Sequence, residues 1–180
     1  MRGRPEGTVS HLTIGYRVPE PILSVANRLL PHTGVDAAES RSVRRTGSPP
    51  TWHRGSRDLA AMVAEVAIAT RHRRRVSGVV APVALHLALD AALAARGLVA
   101  VDHVHELDAT EIPLFGPEAV KGLEFDGVIV VNPHDILSEG TDREITPRGA
   151  RLLYVAMTRA VQELHFVTDA DPPAVLGTPS

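Results

Sequence analysis

The sequence predicts a three-layer α/β domain built around a mostly parallel central sheet. Short β-rich apolar runs alternate along the chain with amphipathic stretches of helical spacing. That order places helices on the two faces of a parallel sheet. One run, Gly127 to Val131, is continuously apolar, as a strand covered on both faces must be. Glycine and proline punctuate the boundaries between runs, and no internal repeat is visible.

Val9 to Ile14 reads as a short strand leading to Tyr16 and Arg17. Pro19 to Leu30 follows as an amphipathic helix, with Ile22, Leu23, Ala26 and Leu29 at helical spacing. Residues 31–55 are rich in Gly, Pro, Ser, Thr and Arg, so they read as a long loop or insertion, with Trp52 marking a short strand inside it. Asp58 to His72 is a helix that presents Leu59, Met62, Val63, Val66 and Ala67 on one face. Gly78 to Ala81 is a buried strand and Pro82 to Arg96 a helix, closed by Gly97 as its C′ residue.

Val99 to Leu107 alternates as a strand does, and Glu111 to Phe115 is another strand. Residues 117–122 turn ahead of the apolar strand from Gly127 to Val131. Pro133 to Glu139 forms a short helix, and Gly140 to Glu144 a polar loop. Thr146 then caps a helix with Pro147 at its first position. That helix ends near Arg159, and Gln162 to Thr168 alternates as the final strand. A single domain is therefore expected over residues 8–168, with residues 1–7 disordered and the proline-rich residues 169–180 a flexible tail.

The 180 residues suffice for one real core, and 44% are hydrophobic. Aromatics make up only 3%, so aliphatic side chains and alanine must build it. Cysteine is absent, which excludes a disulfide framework and a thiolate metal site. No apolar run is long enough to span a bilayer, and residues 1–6 carry no secretory pattern, so a cytoplasmic location without membrane partners is expected. Charge is uneven. Residues 1–75 hold 13 Arg against 6 acids, whereas residues 76–180 hold 6 basic residues against 15 acids. The basic half suits a phosphate-bearing partner, or Arg71, Arg73, Arg74 and Arg75 simply end a helix and favour its dipole.

Arg159 is an arginine delivered by a helix end beside a strand. Its planar fork matches phosphate oxygens, although a cation there also stabilises the helix terminus. Lys121-Gly122-Leu123-Glu124-Phe125 stands just before the buried strand, and strand ends are where ligands gather in parallel sheets. Tyr16-Arg17 ends the first strand. No G-x-x-x-x-G-K-[ST] loop exists, nor an Asp-Glu pair after an apolar strand, so the chain is not expected to hydrolyse ATP alone. His103 and His105 share a face of the strand expected there but lack a third ligand at suitable spacing. Asp108 with Glu111, and Asp142 with Glu144, are read as solvated loop acids rather than catalytic pairs.

Three segments taken together resemble the C-terminal RecA-like domain of superfamily 1 helicases of the UvrD/PcrA/Rep type. Tyr16-Arg17 with Ile22 and Ala26-Asn27 looks like motif IV, Lys121 to Phe125 like motif V, and Tyr154 to Ala160 like motif VI. The resemblance covers roughly residues 8–168. It implies a RecA-like domain without its own P-loop, which completes an ATP site held mainly by an N-terminal RecA-like helicase domain. That domain would also hold Mg²⁺. Single-stranded DNA would be the track.

By the same resemblance, Arg17 and Arg159 are the catalytic arginines facing the γ-phosphate. Tyr16 stacks on adenine, Glu124 hydrogen-bonds the ribose, and Gly122 permits close backbone approach. Two departures stand out. Gly116 and Glu118 occupy the places where motif V carries Thr-x-His, and no large helical domain is inserted between motifs IV and V. Both, with Asp126, look like the HelD branch, whose members engage RNA polymerase. A motor half of a HelD-like polymerase-remodelling factor, or an interaction domain without activity, are therefore the alternatives to a DNA helicase or translocase.

Overall fold

A computed structural model describes residues 14–15, 17–36, 39–45, 47–55, 58–139 and 144–177. In chain order the elements are β1 (Ile14–Gly15), α1 (Glu20–Asn27), β2 (Arg41–Ser42), β3 (Thr51–Arg54), α2 (Leu59–Arg73), β4 (Ser77–Val80), α3 (His86–Ala94), β5 (Val99–Val101), β6 (Glu111–Phe115), β7 (Phe125–Val131), α4 (Pro133–Ser138), α5 (Pro147–Met157) and β8 (Ala160–Thr168). Six strands form one sheet in the order β3-β8-β7-β4-β6-β5, and every pairing is parallel. β1 and β2 make a separate parallel pair.

The continuous apolar run of β7 has the expected physical cause. Successive side chains point to opposite faces, and both faces are covered. Val128 and Val130 join Ile22, Leu29, Leu153 and Met157 in a core under α1, α4 and α5. Ile129 and Val131 join Val63, Ala67, Leu89 and Leu93 in a second core under α2 and α3. The aliphatic and alanine-built core expected from composition is present on both sides of the sheet.

α2 starts where its sequence says it should, because the Asp58 side chain accepts from the Ala61 N–H at 3.1 Å. α5 starts at Pro147, with Thr146 Oγ1 accepting from the Gly149 N–H at 2.9 Å. Gly149 also lets the two helices touch. A Cβ built there would lie 2.2 Å from the Leu137 carbonyl oxygen at the end of α4.

Some expectations change. Residues 31–55 are more than a loop: β3 forms an edge of the main sheet, with Trp52 stacked on Phe166 at 4.3 Å between ring centroids. The strand expected over Val99 to Leu107 ends at Val101, so His103 and His105 do not share a strand face. Among the described residues no group of three His, Cys, Asp or Glu is placed to hold a metal. After β8 the chain folds back, burying Leu176, whose carbonyl accepts from Arg28 Nη1 at 2.7 Å. Within the described part of residues 169–180, Leu176 joins the core and Val175 packs against it. The strand expected from Val9 and the loop from Gly140 lie mostly outside the described residues.

Three of the four arginines at the end of α2, Arg71, Arg73 and Arg74, are engaged internally. Arg71 donates to the carbonyls of Asp108, Ala109 and Glu111, and Arg73 and Arg74 pair with Glu163 on β8. Beside Glu163, His165 Nδ1 lies 3.1 Å from His53 Nε2, so a hydrogen bond between two imidazoles helps fasten edge strand β3 to β8. Burial holds both imidazoles below their usual 6.5, helped at His53 by the charges of His165 and Arg73. At His165 the Glu163 carboxylate pulls the other way without overcoming burial.

Candidate functional site

The register of β7 and β8 assembles the site. Phe125 pairs with Ala160 as the first residues of two adjacent parallel strands. The residues just before them, Glu124 and Arg159, therefore emerge side by side at the amino edge of the sheet. The Phe125 N–H donates to the Arg159 carbonyl at 3.0 Å, which closes that edge. Arg159 follows α5 directly, because Thr158 ends the helix.

Arg17 reaches the same place from the segment between β1 and α1. Its guanidinium pairs with the Glu124 carboxylate. The segment is braced by residues of the stretch expected to be loop. Ser42 Oγ donates to the Val18 carbonyl at 2.6 Å, and Arg44 Nη1 donates to the Val161 carbonyl at 2.6 Å. The Glu20 N–H donates to the Arg44 carbonyl at 3.0 Å.

Arg17, Glu124 and Arg159 line one cavity of about 360 Å³, together with Ser40, Tyr154 and Thr158. That is the small end of the range for ligand pockets. Arg17 is more exposed than Glu124, at 71% of its side chain against 44%. Arg159 is held more tightly: its Nε donates to the Val155 carbonyl and its Nη1 to the Leu123 carbonyl, both at 3.2 Å. The arrangement offers two guanidinium groups and one carboxylate on a shallow half-site. Such a surface can bind a polyanion that another body holds from the far side.

Gly122 stands just before Glu124 with φ of +85°, and nothing lies within 4 Å of a Cβ built there. Glycine is required there by backbone conformation, and its surface is open. Lys121 is exposed. Tyr16 lies outside the described residues. Asp126 acts within the framework of the sheet. Its carboxylate accepts from the Val76 N–H at 3.1 Å and from Gln162 Nε2 at 2.9 Å, tying β7 to the start of β4 and to β8.

Sequence reasoning missed the bracing role of Ser42 and Arg44, because it depends on contacts of high sequence separation. Strand ends are expected to gather ligands, but the sequence does not select which end. The cavity lies at the amino ends of β7 and β8, opposite the carboxyl ends where open α/β sheets usually bind their own ligands.

No family model matches the chain, and no curated protein does. Solved structures do. The C-terminal domain of a possible DNA helicase from Lactobacillus plantarum WCFS1 superposes with a TM-score of 0.64 at 24% identity, over 91% of this chain and 92% of that one. At that identity the likeness establishes the fold: a RecA-like α/β domain with an all-parallel six-stranded sheet and helices on both sides.

Proposed function

We propose that this domain is the C-terminal motor half of an ATP-dependent superfamily 1 DNA helicase or translocase. The observation that carries this is the convergence of Arg17, Glu124 and Arg159, distant in sequence, on one cavity. The fold likeness to a C-terminal domain of a possible DNA helicase supports it.

ATP would be held mainly by an N-terminal RecA-like domain, whose P-loop lysine and bound Mg²⁺ neutralise the phosphates. This chain's residues complete the site from the opposite wall. Arg159, pinned to the Val155 and Leu123 carbonyls, keeps a fixed fork toward the γ-phosphate. Arg17, exposed and paired only across the cavity mouth, turns from Glu124 to the phosphate as the two domains close. That exchange frees the Glu124 carboxylate to accept from a ribose hydroxyl. Gly122 lets the backbone lie close to the sugar, and Tyr16 covers the base. Charge that develops on the transferring phosphoryl group is stabilised by the two arginines, a contribution of about 10³–10⁵ in rate for such fingers.

Single-stranded DNA is the track in this proposal, with Arg41, Arg45 and Arg75 exposed to meet its phosphates. The test is to mix the chain with a P-loop-bearing superfamily 1 N-terminal domain and measure ATP hydrolysis with and without oligothymidylate. Hydrolysis should require both polypeptides. No stimulation by the chain would overturn a motor role. Stimulation that follows RNA polymerase and ignores DNA would replace it with the HelD-like remodelling role.

A further inference from the structure

The opposite end of the sheet carries a different surface. β4, β6 and β5 deliver their carboxyl ends to Pro82, Gly116 and Asp102, and the turn after β4 runs into α3. Val83 opens a single 3-10 turn, Val83–Leu85, that runs directly into α3, where Leu87 follows. Val83 and Leu87 are 67% and 84% exposed, so they form an apolar ridge in solvent. Beside Val83 lies a groove of about 470 Å³ with apolar walls that include Leu85, Pro117, Ile136 and Leu152. Beside Leu87 lies a second, open depression of about 590 Å³ over Ala100 and Leu114.

The banks of this ridge are acidic. Glu118, Asp135 and Glu139 rim the first groove, and Asp90 and Asp102 rim the second. Among the described residues Arg148 is the one Lys or Arg that lines either of them, and it is already shared between Glu118 and Glu139. His86 is turned to the Ala81 carbonyl at 3.1 Å. His103 sits 3.8 Å from Asp102 and 3.9 Å from Glu111.

A nucleic-acid backbone brought here would meet a surplus of carboxylates. A protein segment with apolar anchors flanked by Arg or Lys meets complementary walls and complementary charge. We infer that the Val83–Leu87 ridge and its two acidic grooves are a docking surface for a basic amphipathic helix of a partner protein. The inference does not depend on the arginine site at the other end of the sheet.

The probes are three: a synthetic amphipathic helical peptide with leucines on one face and arginines on the other, the same peptide with glutamate for arginine, and oligothymidylate. With methyl-labelled full chain, the arginine peptide should shift the Val83 and Leu87 methyl resonances saturably, and more weakly as salt is raised. Fluorescence anisotropy of the labelled peptide then gives Kd for variants. Val83→Ser with Leu87→Ser should weaken binding about tenfold or more, as expected for losing central anchors. Glu118→Gln with Asp135→Asn should weaken it as well. Both ridge residues are exposed, so the fold is retained, as circular dichroism checks. Equal binding by the glutamate peptide, no methyl shift with the arginine peptide, or displacement of that peptide by oligothymidylate at the same methyls would each overturn the inference.

Discussion

Arg17 and Glu124, 107 residues apart, form an ion pair at the mouth of the cavity that Arg159 also lines. Both partners are substantially exposed, at 71% and 44% of their side chains, so the pair contributes little to folding. Its consequence is positional. The Glu124 carboxylate holds the Arg17 guanidinium at the cavity mouth, and under the proposed function an incoming phosphate displaces it.

Arg17→Ala and Glu124→Ala should therefore separate kinetically in the assembled two-domain enzyme. Arg17→Ala lowers kcat for ATP hydrolysis with little change in KM, because its phosphate contact strengthens in the transition state. Glu124→Ala raises KM about tenfold, the loss of one hydrogen bond to a charged acceptor. Steady-state kinetics on the two variants check this, and an inverted pattern would exchange their assigned roles.

Arg159→Lys keeps the charge but loses the planar fork and the geometry held by Val155 and Leu123. Turnover should fall about 10³-fold, and Arg159→Ala should fall as far. Nucleotide affinity, measured by titration with a fluorescent ATP analogue, should change much less. Unchanged turnover in both variants would remove Arg159 from the reaction.

Gly149→Ala tests the close approach of α4 and α5. The added Cβ meets the Leu137 carbonyl oxygen at 2.2 Å and the Ile136 carbonyl oxygen at 2.5 Å. Backbone cannot step aside as a side-chain tip can. Overpacking of this kind costs about 1–3 kcal/mol, against about 1 kcal/mol gained in helix propensity. A net fall in urea midpoint is expected. At Gly122 the same substitution meets nothing within 4 Å and costs about 1 kcal/mol through its positive φ alone.

Stability should fall as pH drops below the ordinary imidazole value of 6.5. Burial depresses the folded-state pKa of His53 and His165. The unfolded chain therefore binds protons first, and acid favours it. The loss grows as pH falls through the unfolded value and levels off once the folded imidazoles are protonated. Glu163 is also depressed; burial pushes it up, but its bonds to His165 and Arg73 and the charge of Arg74 prevail. Its contribution is present above the ordinary carboxylate range and is lost only at lower pH. Urea titrations between about pH 8 and 5 measure the slope. His53→Gln should flatten it, and an unchanged slope would discount the imidazole pair.

Local pattern sufficed wherever a residue's role is set by its immediate neighbours. Asp58 and Thr146 cap helices as their positions imply. The period of side-chain direction made the run at Gly127 to Val131 legible as a doubly covered strand. Grouping Arg17, Gly122, Glu124 and Arg159 as one site drew on family resemblance. The Phe125–Ala160 register sets Glu124 beside Arg159, and Arg17 joins them from the segment before α1, whereas Gly122 is not among the residues that line their cavity.

The sequence by itself determined the layer order, most helix positions and the absence of a P-loop, because periodicity, capping and motif spacing act over a few residues. Tertiary structure alone decided three things. It chose the amino edge of the sheet for the cavity. It turned Thr51–Arg54 into an edge strand held by Phe166 and His165. It committed Arg71, Arg73 and Arg74 to internal carbonyls and Glu163. Each depends on strand order and on contacts between distant segments, and a linear pattern carries no distance information about partners that only folding brings together.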